Sequence, residues 1–193
     1  MNIANRLTVL RIILVPVMLM FLVVADYWCW ITAGCIFIVA AVTDLIDGAV
    51  ARGLKQESNF GKLMDPMADK LLVVCSLLML NRAFLLSFWI TMVIIVREFV
   101  ISGVRQLALA NGRRIVSASL LGKLKTVVQC VGIPCIMIGE GVSSIGEGKL
   151  LFLKAEDIVT AGQIIMFVSA ILAVISGLAY LWANRKALNF EDS

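Results

Sequence analysis

The sequence contains no histidine, and its five cysteines (Cys29, Cys35, Cys75, Cys130 and Cys135) are scattered through apolar segments without metal-ligand spacing. A zinc centre is therefore not expected, and the cysteines read as small apolar packing residues. Charge is scarce as well. Asp, Glu, Lys and Arg make up 16% of the chain while 61% is hydrophobic, and the mean hydropathy is +1.00. Soluble domains are roughly 45–50% apolar and about 25% charged, so a water-facing domain could not hide this much apolar surface. Low-complexity tracts are lacking, as is any internal repeat beyond the general helical hydropathy. The basic residues form short flanks rather than a continuous patch, which argues against nucleic acid as a partner.

What fills the chain is a series of apolar stretches, at roughly 7–25, 28–51, 63–81, 84–104, 116–139 and 158–183. A helix needs about 20 mostly apolar residues to cross a hydrocarbon core. The runs are continuous rather than alternating, which favours helices over a barrel, because each helix satisfies its own backbone hydrogen bonds in lipid. The expected fold is all-α and integral to the membrane: six transmembrane helices in one domain spanning 1–193. Arg6 and Arg11 followed by Ile12–Ala25 also resemble the charged and apolar regions of a signal peptide. Arg11 and Pro16 interrupt that pattern and the cleavage-site signal is poor, so the stretch is read as the first helix.

The Lys and Arg residues give an orientation. In a six-helix arrangement Arg6, Arg11, Arg52, Lys55, Lys62, Arg105, Arg113, Arg114, Lys123, Lys125, Arg185 and Lys186 fall on one side. Only Arg82, Lys149 and Lys154 fall on the other, beside Asp26, Glu140, Glu147, Glu156 and Asp157. Both termini and the 52–62 and 105–125 loops are thus expected in the cytoplasm. The net charge of +4, gathered on that face, points to anionic lipid headgroups.

Four aspartates gather where the second and third stretches meet. Asp44 and Asp47 are three residues apart at the end of one helix; Asp65 and Asp69 are four apart at the start of the next. Each spacing keeps its pair on one helical face, and a short polar loop between them makes the two helices antiparallel neighbours. A carboxylate deep in a membrane costs about 2.5–3.5 kcal/mol on insertion scales, so four need compensation. Arg52, Lys62 and Lys70 supply part of it, and hard oxygen donors suit Mg²⁺ or Mn²⁺. Two metals sharing carboxylates form the arrangement that clamps phosphoryl groups. Gly48 leaves room beside the aspartates, and Gly61 permits close backbone approach before the third helix. The competing readings are aspartates that cap helix ends near water, and a path for ions or protons lined by carboxylates.

The spacing Asp44-x2-Asp47-Gly48-x2-Ala51-Arg52-x8-Gly61-x3-Asp65-x3-Asp69 resembles the signature of the CDP-alcohol phosphotransferase family at all eight fixed positions. The resemblance implies six membrane helices, a homodimer, two divalent metals and a cytoplasm-facing polar cavity. It implies that Asp44, Asp47 and Asp65 ligate metal, and that Asp69 ligates metal and serves as general base. Gly48, Arg52 and Ser58 match positions that hold cytidine diphosphate, with Gly61 beside them. Asn5, Thr8 and Arg11 recur every three residues, either lying at the interface or bordering that nucleotide pocket.

Three further segments extend the resemblance to bacterial phosphatidylglycerophosphate synthases: Met1–Arg11, Arg97–Arg105 and Gly122–Thr126. Ala4 stands where that group usually has proline. The substrates so implied are CDP-diacylglycerol and sn-glycerol 3-phosphate in an inner-membrane enzyme. An acceptor with its own phosphate needs cations, and Arg105, Lys123 and Lys125 are the candidates, with positive-inside anchoring as their plainer reading. Inositol phosphate, serine and phosphatidylglycerol remain alternative acceptors.

Overall fold

The computed structural model describes residues 3–24, 26–54, 59–110, 120–144, 149–150 and 153–185; at 3–8, 44–54, 59–69, 109–110, 120–121, 123, 149–150 and 153 it describes the backbone alone. Among the described residues there are six helices: α1 Ile3–Val24, α2 Tyr27–Leu54, α3 Asn59–Arg82, α4 Phe88–Ala110, α5 Leu120–Ser144 and α6 Ala155–Ala183. A two-residue antiparallel ladder, β1 Lys149–Leu150 with β2 Leu153–Lys154, joins α5 to α6. The all-α expectation holds in class, with this small hairpin as an addition.

Most helix ends lie within a few residues of the hydropathy reading, and the departures have local causes. The fourth stretch was expected from 84, yet α4 begins at Phe88. Phe84 takes a left-handed φ of 59° and stands 96% exposed, which ends α3 in the manner of a C-terminal cap. Backbone bonds from Phe84 N to Asn81 O (3.0 Å) and Leu85 N to Leu80 O (3.0 Å) close the turn. Asn81 Nδ2 also donates to Leu86 O at 3.1 Å. Helix α6 starts at Ala155, three residues earlier than the apolar run, because Glu156 and Asp157 suit the positive end of a helix.

Side-chain contacts give the order of packing. Gly141 on α5 faces Tyr27 and Ile31 on α2, while Gly34 faces Met137 and Ile138, so these helices run antiparallel. On the other side Gly139 faces Ile158 and Val159, and Gly132 faces Ile165 and Met166, an antiparallel α5–α6 pair. Met18 on α1 meets Ser76 on α3. Helix α4 runs parallel to α6, with Gln163 Nε2 donating to Leu85 O at 2.8 Å and Arg97 bonded to Ser176. The bundle is therefore an up-and-down array whose most extensive contact is α5 with α6.

The buried face of α6 explains that intimacy. It reads Gly162, Met166, Ser169, Ala170, Ala173, Ser176, Gly177 and Tyr180, at three- and four-residue steps. Small residues on one stripe let helix backbones approach, which matters where lipid supplies no hydrophobic force between helices. Phe37, Met18, Leu77, Leu80, Ile94, Ile136 and Met166 fill the centre. The outward faces are apolar too: Met20, Val24, Ile164, Phe167, Leu178 and Trp182 are all exposed. An apolar surface around the whole bundle is what a lipid-facing protein presents. Among the described residues, Leu124–Ser144 and Ala155–Ala183 are long and apolar enough to cross a membrane. This is a membrane protein.

Aromatic side chains gather near the helix ends. Trp28, Phe84, Phe88 and Trp89 are exposed at the end that holds the α1–α2 and α3–α4 connections. At the other end Arg185 lies over the Trp182 ring at 5.4 Å. Aromatic residues favour the headgroup level at both faces of a bilayer.

Candidate active site

Up-and-down connectivity puts the end of α2, the start of α3, the end of α4, the start of α5 and the end of α6 at one end of the bundle. The four aspartates lie there along the chain. Asp44, Asp47, Gly48 and Arg52 fall within the last turns of α2, which runs to Leu54, beyond the expected 51; Gly61, Asp65 and Asp69 fall within the first turns of α3. Their side chains lie outside the described residues, as do those of Asn5, Thr8 and Lys123 and the whole of Ser58. Among the described residues there is no cluster of three or more His, Cys, Asp or Glu side chains able to hold a metal.

The backbone still relates these positions to side chains that are described. The α2–α5 contacts of Gly34 with Ile138 and of Ile31 with Gly141 continue along both helices to bring position 47 level with Lys125. The Met18–Ser76 contact fixes α1 against α3. Two turns toward the start of both parallel helices, position 69 comes level with Arg11. Arg11 is 2% exposed. Its spacing with Asn5 and Thr8 left an interfacial or pocket-lining place open; the bundle buries it.

Around this end, polar side chains tie α4 to three neighbours. Glu98 Oε1 contacts Lys125 Nζ on α5 and lies 3.7 Å from Arg97 Nη1. Arg97 Nη2 donates to Ser176 Oγ on α6 at 3.2 Å. Ser102, one turn after Glu98, contacts Lys70 Nζ of α3. Of the three acceptor candidates, Lys125 is 3% exposed, Arg105 is exposed, and Lys123 lies outside the described side chains. Arg97 and Glu98 are neighbours in the sequence, which carries no signal that they reach different helices. Gln129, one turn after Lys125, was not singled out, and it is 2% exposed.

Among the described residues, cavities also lie elsewhere. One of about 550 Å³, lined by Asn81, Phe84, Leu85, Ser87, Phe88 and Gln163, sits at the end away from the aspartates. Another, about 380 Å³, is an apolar groove between α4 and α6 that includes Trp89, Val96, Val100, Gly177 and Leu181.

The described backbone is thus a bundle of apolar helices with four aspartate positions at one helix junction. The profile of the CDP-alcohol phosphatidyltransferase family matches residues 1–183, and the chain belongs to that family. It is 32% identical to the CDP-diacylglycerol–glycerol-3-phosphate 3-phosphatidyltransferase of Bacillus subtilis, with 99% of each chain covered. It is 35% identical to the enzyme of the same name from Escherichia coli K12, with 97% of each covered. A third, from Wigglesworthia glossinidia brevipalpis, is 36% identical over 94% of each chain.

Proposed function

We propose that the chain transfers the phosphatidyl group of CDP-diacylglycerol to sn-glycerol 3-phosphate, giving phosphatidylglycerophosphate and CMP in phosphatidylglycerol biosynthesis. The observation that carries this is the unbroken aspartate spacing across the α2–α3 junction, in a chain that aligns nearly end to end with enzymes of that name. The 1-hydroxyl of the acceptor attacks the lipid-side phosphorus. The new P–O bond forms as the diphosphate bridge breaks, and CMP leaves with the bonding electrons.

Asp69 takes the hydroxyl proton. An ordinary aspartate is a weak base, with a pKa of about 3.9, so its place among other carboxylates or a neighbouring cation must help. Asp44, Asp47, Asp65 and Asp69 form an all-oxygen donor set on two helices joined at one end of the bundle, which fits Mg²⁺ or Mn²⁺, two ions in all. When bound, these ions supply positive charge that offsets the diphosphate. Gly48, Arg52, Ser58 and Gly61, with Asn5 and Thr8, hold the cytidine diphosphate. Arg105, Lys123 and Lys125 receive the acceptor phosphate.

All six helices cross the inner membrane, both termini and the polar cavity face the cytoplasm, and the working unit is a homodimer. Support for the crossings and their orientation comes from the basic residues on the side of the aspartates and from the exposed apolar side chains; the homodimer rests on the family resemblance alone. The test is purified enzyme with CDP-diacylglycerol and Mg²⁺, offered glycerol 3-phosphate, inositol phosphate, serine and phosphatidylglycerol separately. CMP release with glycerol 3-phosphate is expected; release only with another alcohol would overturn the choice of acceptor.

A further inference from the structure

We propose that Glu98 is a positioning residue for the acceptor phosphate: it holds the Lys125 ammonium on the wall between α4 and α5, while Arg97 braces that wall against α6. The inference rests on the glycerol 3-phosphate reading above. Lys125 is 3% exposed and its Nζ contacts Glu98 Oε1. Consecutive residues on a helix point about 100° apart, so neighbouring side chains serve different partners. Glu98 reaches α5, and Arg97 Nη2 reaches Ser176 Oγ on α6 at 3.2 Å. One turn along α4, Ser102 meets Lys70 of α3. A single stretch of α4 is thereby bound to three helices at the depth where α5 comes level with position 47.

A lysine carries its charge on a flexible four-carbon stem, and ordering that stem has an entropy cost each time a ligand binds. A carboxylate already in contact meets that cost during folding. The ammonium is then presented in one place. Gln129 extends the same face of α5 by one turn. It is 2% exposed, and its Nε2 has no hydrogen-bond partner among the described residues. A small polyol phosphate offers acceptors to both an ammonium and an amide donor. Glu98 does not touch the substrate in this arrangement; it acts through Lys125.

The experiment varies glycerol 3-phosphate and CDP-diacylglycerol separately for wild type, Glu98→Gln and Glu98→Asp, with the thermal midpoint of each protein measured alongside. Glu98→Gln is expected to raise the KM for glycerol 3-phosphate about tenfold, the loss of roughly one charge-assisted contact. The KM for CDP-diacylglycerol should stay within about twofold, since uniform damage would move both. Glu98→Asp, which keeps the charge with shorter reach, should show a smaller rise in the same constant alone. An unshifted acceptor KM in a folded variant, or equal losses toward both substrates, overturns the role of Glu98. If Glu98→Gln does not fold, Glu98→Asp decides by the same criterion. A wild type that releases CMP only with another alcohol instead overturns the acceptor reading, and this inference with it.

Discussion

Ser176 Oγ accepts a hydrogen bond from Arg97 Nη2, 3.2 Å across the seam between α6 and α4, and Gly177 beside it leaves room for the arginine stem. A Cβ at Gly177 would lie 3.3 Å from Arg97 Cγ. A guanidinium in an apolar bundle needs such partners, because losing a hydrogen bond to a buried charge costs about 1.5–3 kcal/mol. Ser176→Ala should therefore lower the thermal midpoint in detergent, and Ser176→Thr, which keeps the hydroxyl, should lower it less. Equal midpoints for wild type and Ser176→Ala would show that the bond contributes nothing.

Two glycines are expected to respond in opposite directions. A Cβ at Gly162 would lie 2.6 Å from Ile136 Cγ1, 3.1 Å from Ile136 N and 3.2 Å from Gly132 O, whereas at Gly103 nothing lies within 4 Å. Gly162→Val should push α5 and α6 apart at a cost of about 1–3 kcal/mol, as overpacking does. Gly103→Ala should be neutral or stabilising by up to about 1 kcal/mol through helix propensity. Folded yield by size-exclusion chromatography with thermal unfolding would compare the two.

Asp69→Asn should reduce CMP release by about 10²–10⁴-fold, the usual contribution of a general base, while far-UV circular dichroism stays that of a helical protein. Full turnover in this variant would remove Asp69 as base.

Chelation should abolish CMP release by the wild-type enzyme, and Mg²⁺ or Mn²⁺ should restore it where Zn²⁺ does not, given an all-oxygen donor set. Activity that survives exhaustive chelation would leave the four aspartates without their proposed ligands.

The basic residues flanking the helices predict both termini on the cytoplasmic side. A fluorescent-protein fusion after Ser193 should fluoresce in cells, and an alkaline phosphatase fusion at the same point should be inactive. Active phosphatase there would invert the orientation or change the number of crossings.

Much of this architecture was legible before any coordinates. Helix existence follows from apolar runs near Leu14, Phe37, Leu77, Ile94, Ile133 and Ile171, because transfer free energy and backbone pairing are local properties of a stretch. The aspartate spacing is local as well: Asp44, Asp47, Asp65 and Asp69 lie within 26 residues, and the backbone puts them at the end of α2 and the start of α3, while their side chains lie outside the described residues. Partner choice is not local. That Lys125 is buried against Glu98, that Arg97 turns to Ser176 rather than to solvent, and that Arg11 lies inside the bundle depend on how α4, α5, α6 and α1 rotate against one another. Those rotations are set by which small residues, such as Gly132, Gly141 and Gly162, let neighbouring backbones approach. Hydropathy sees a basic residue at a helix end and reads an anchor; only the packed bundle decides which of them turns inward to meet a carboxylate or a hydroxyl.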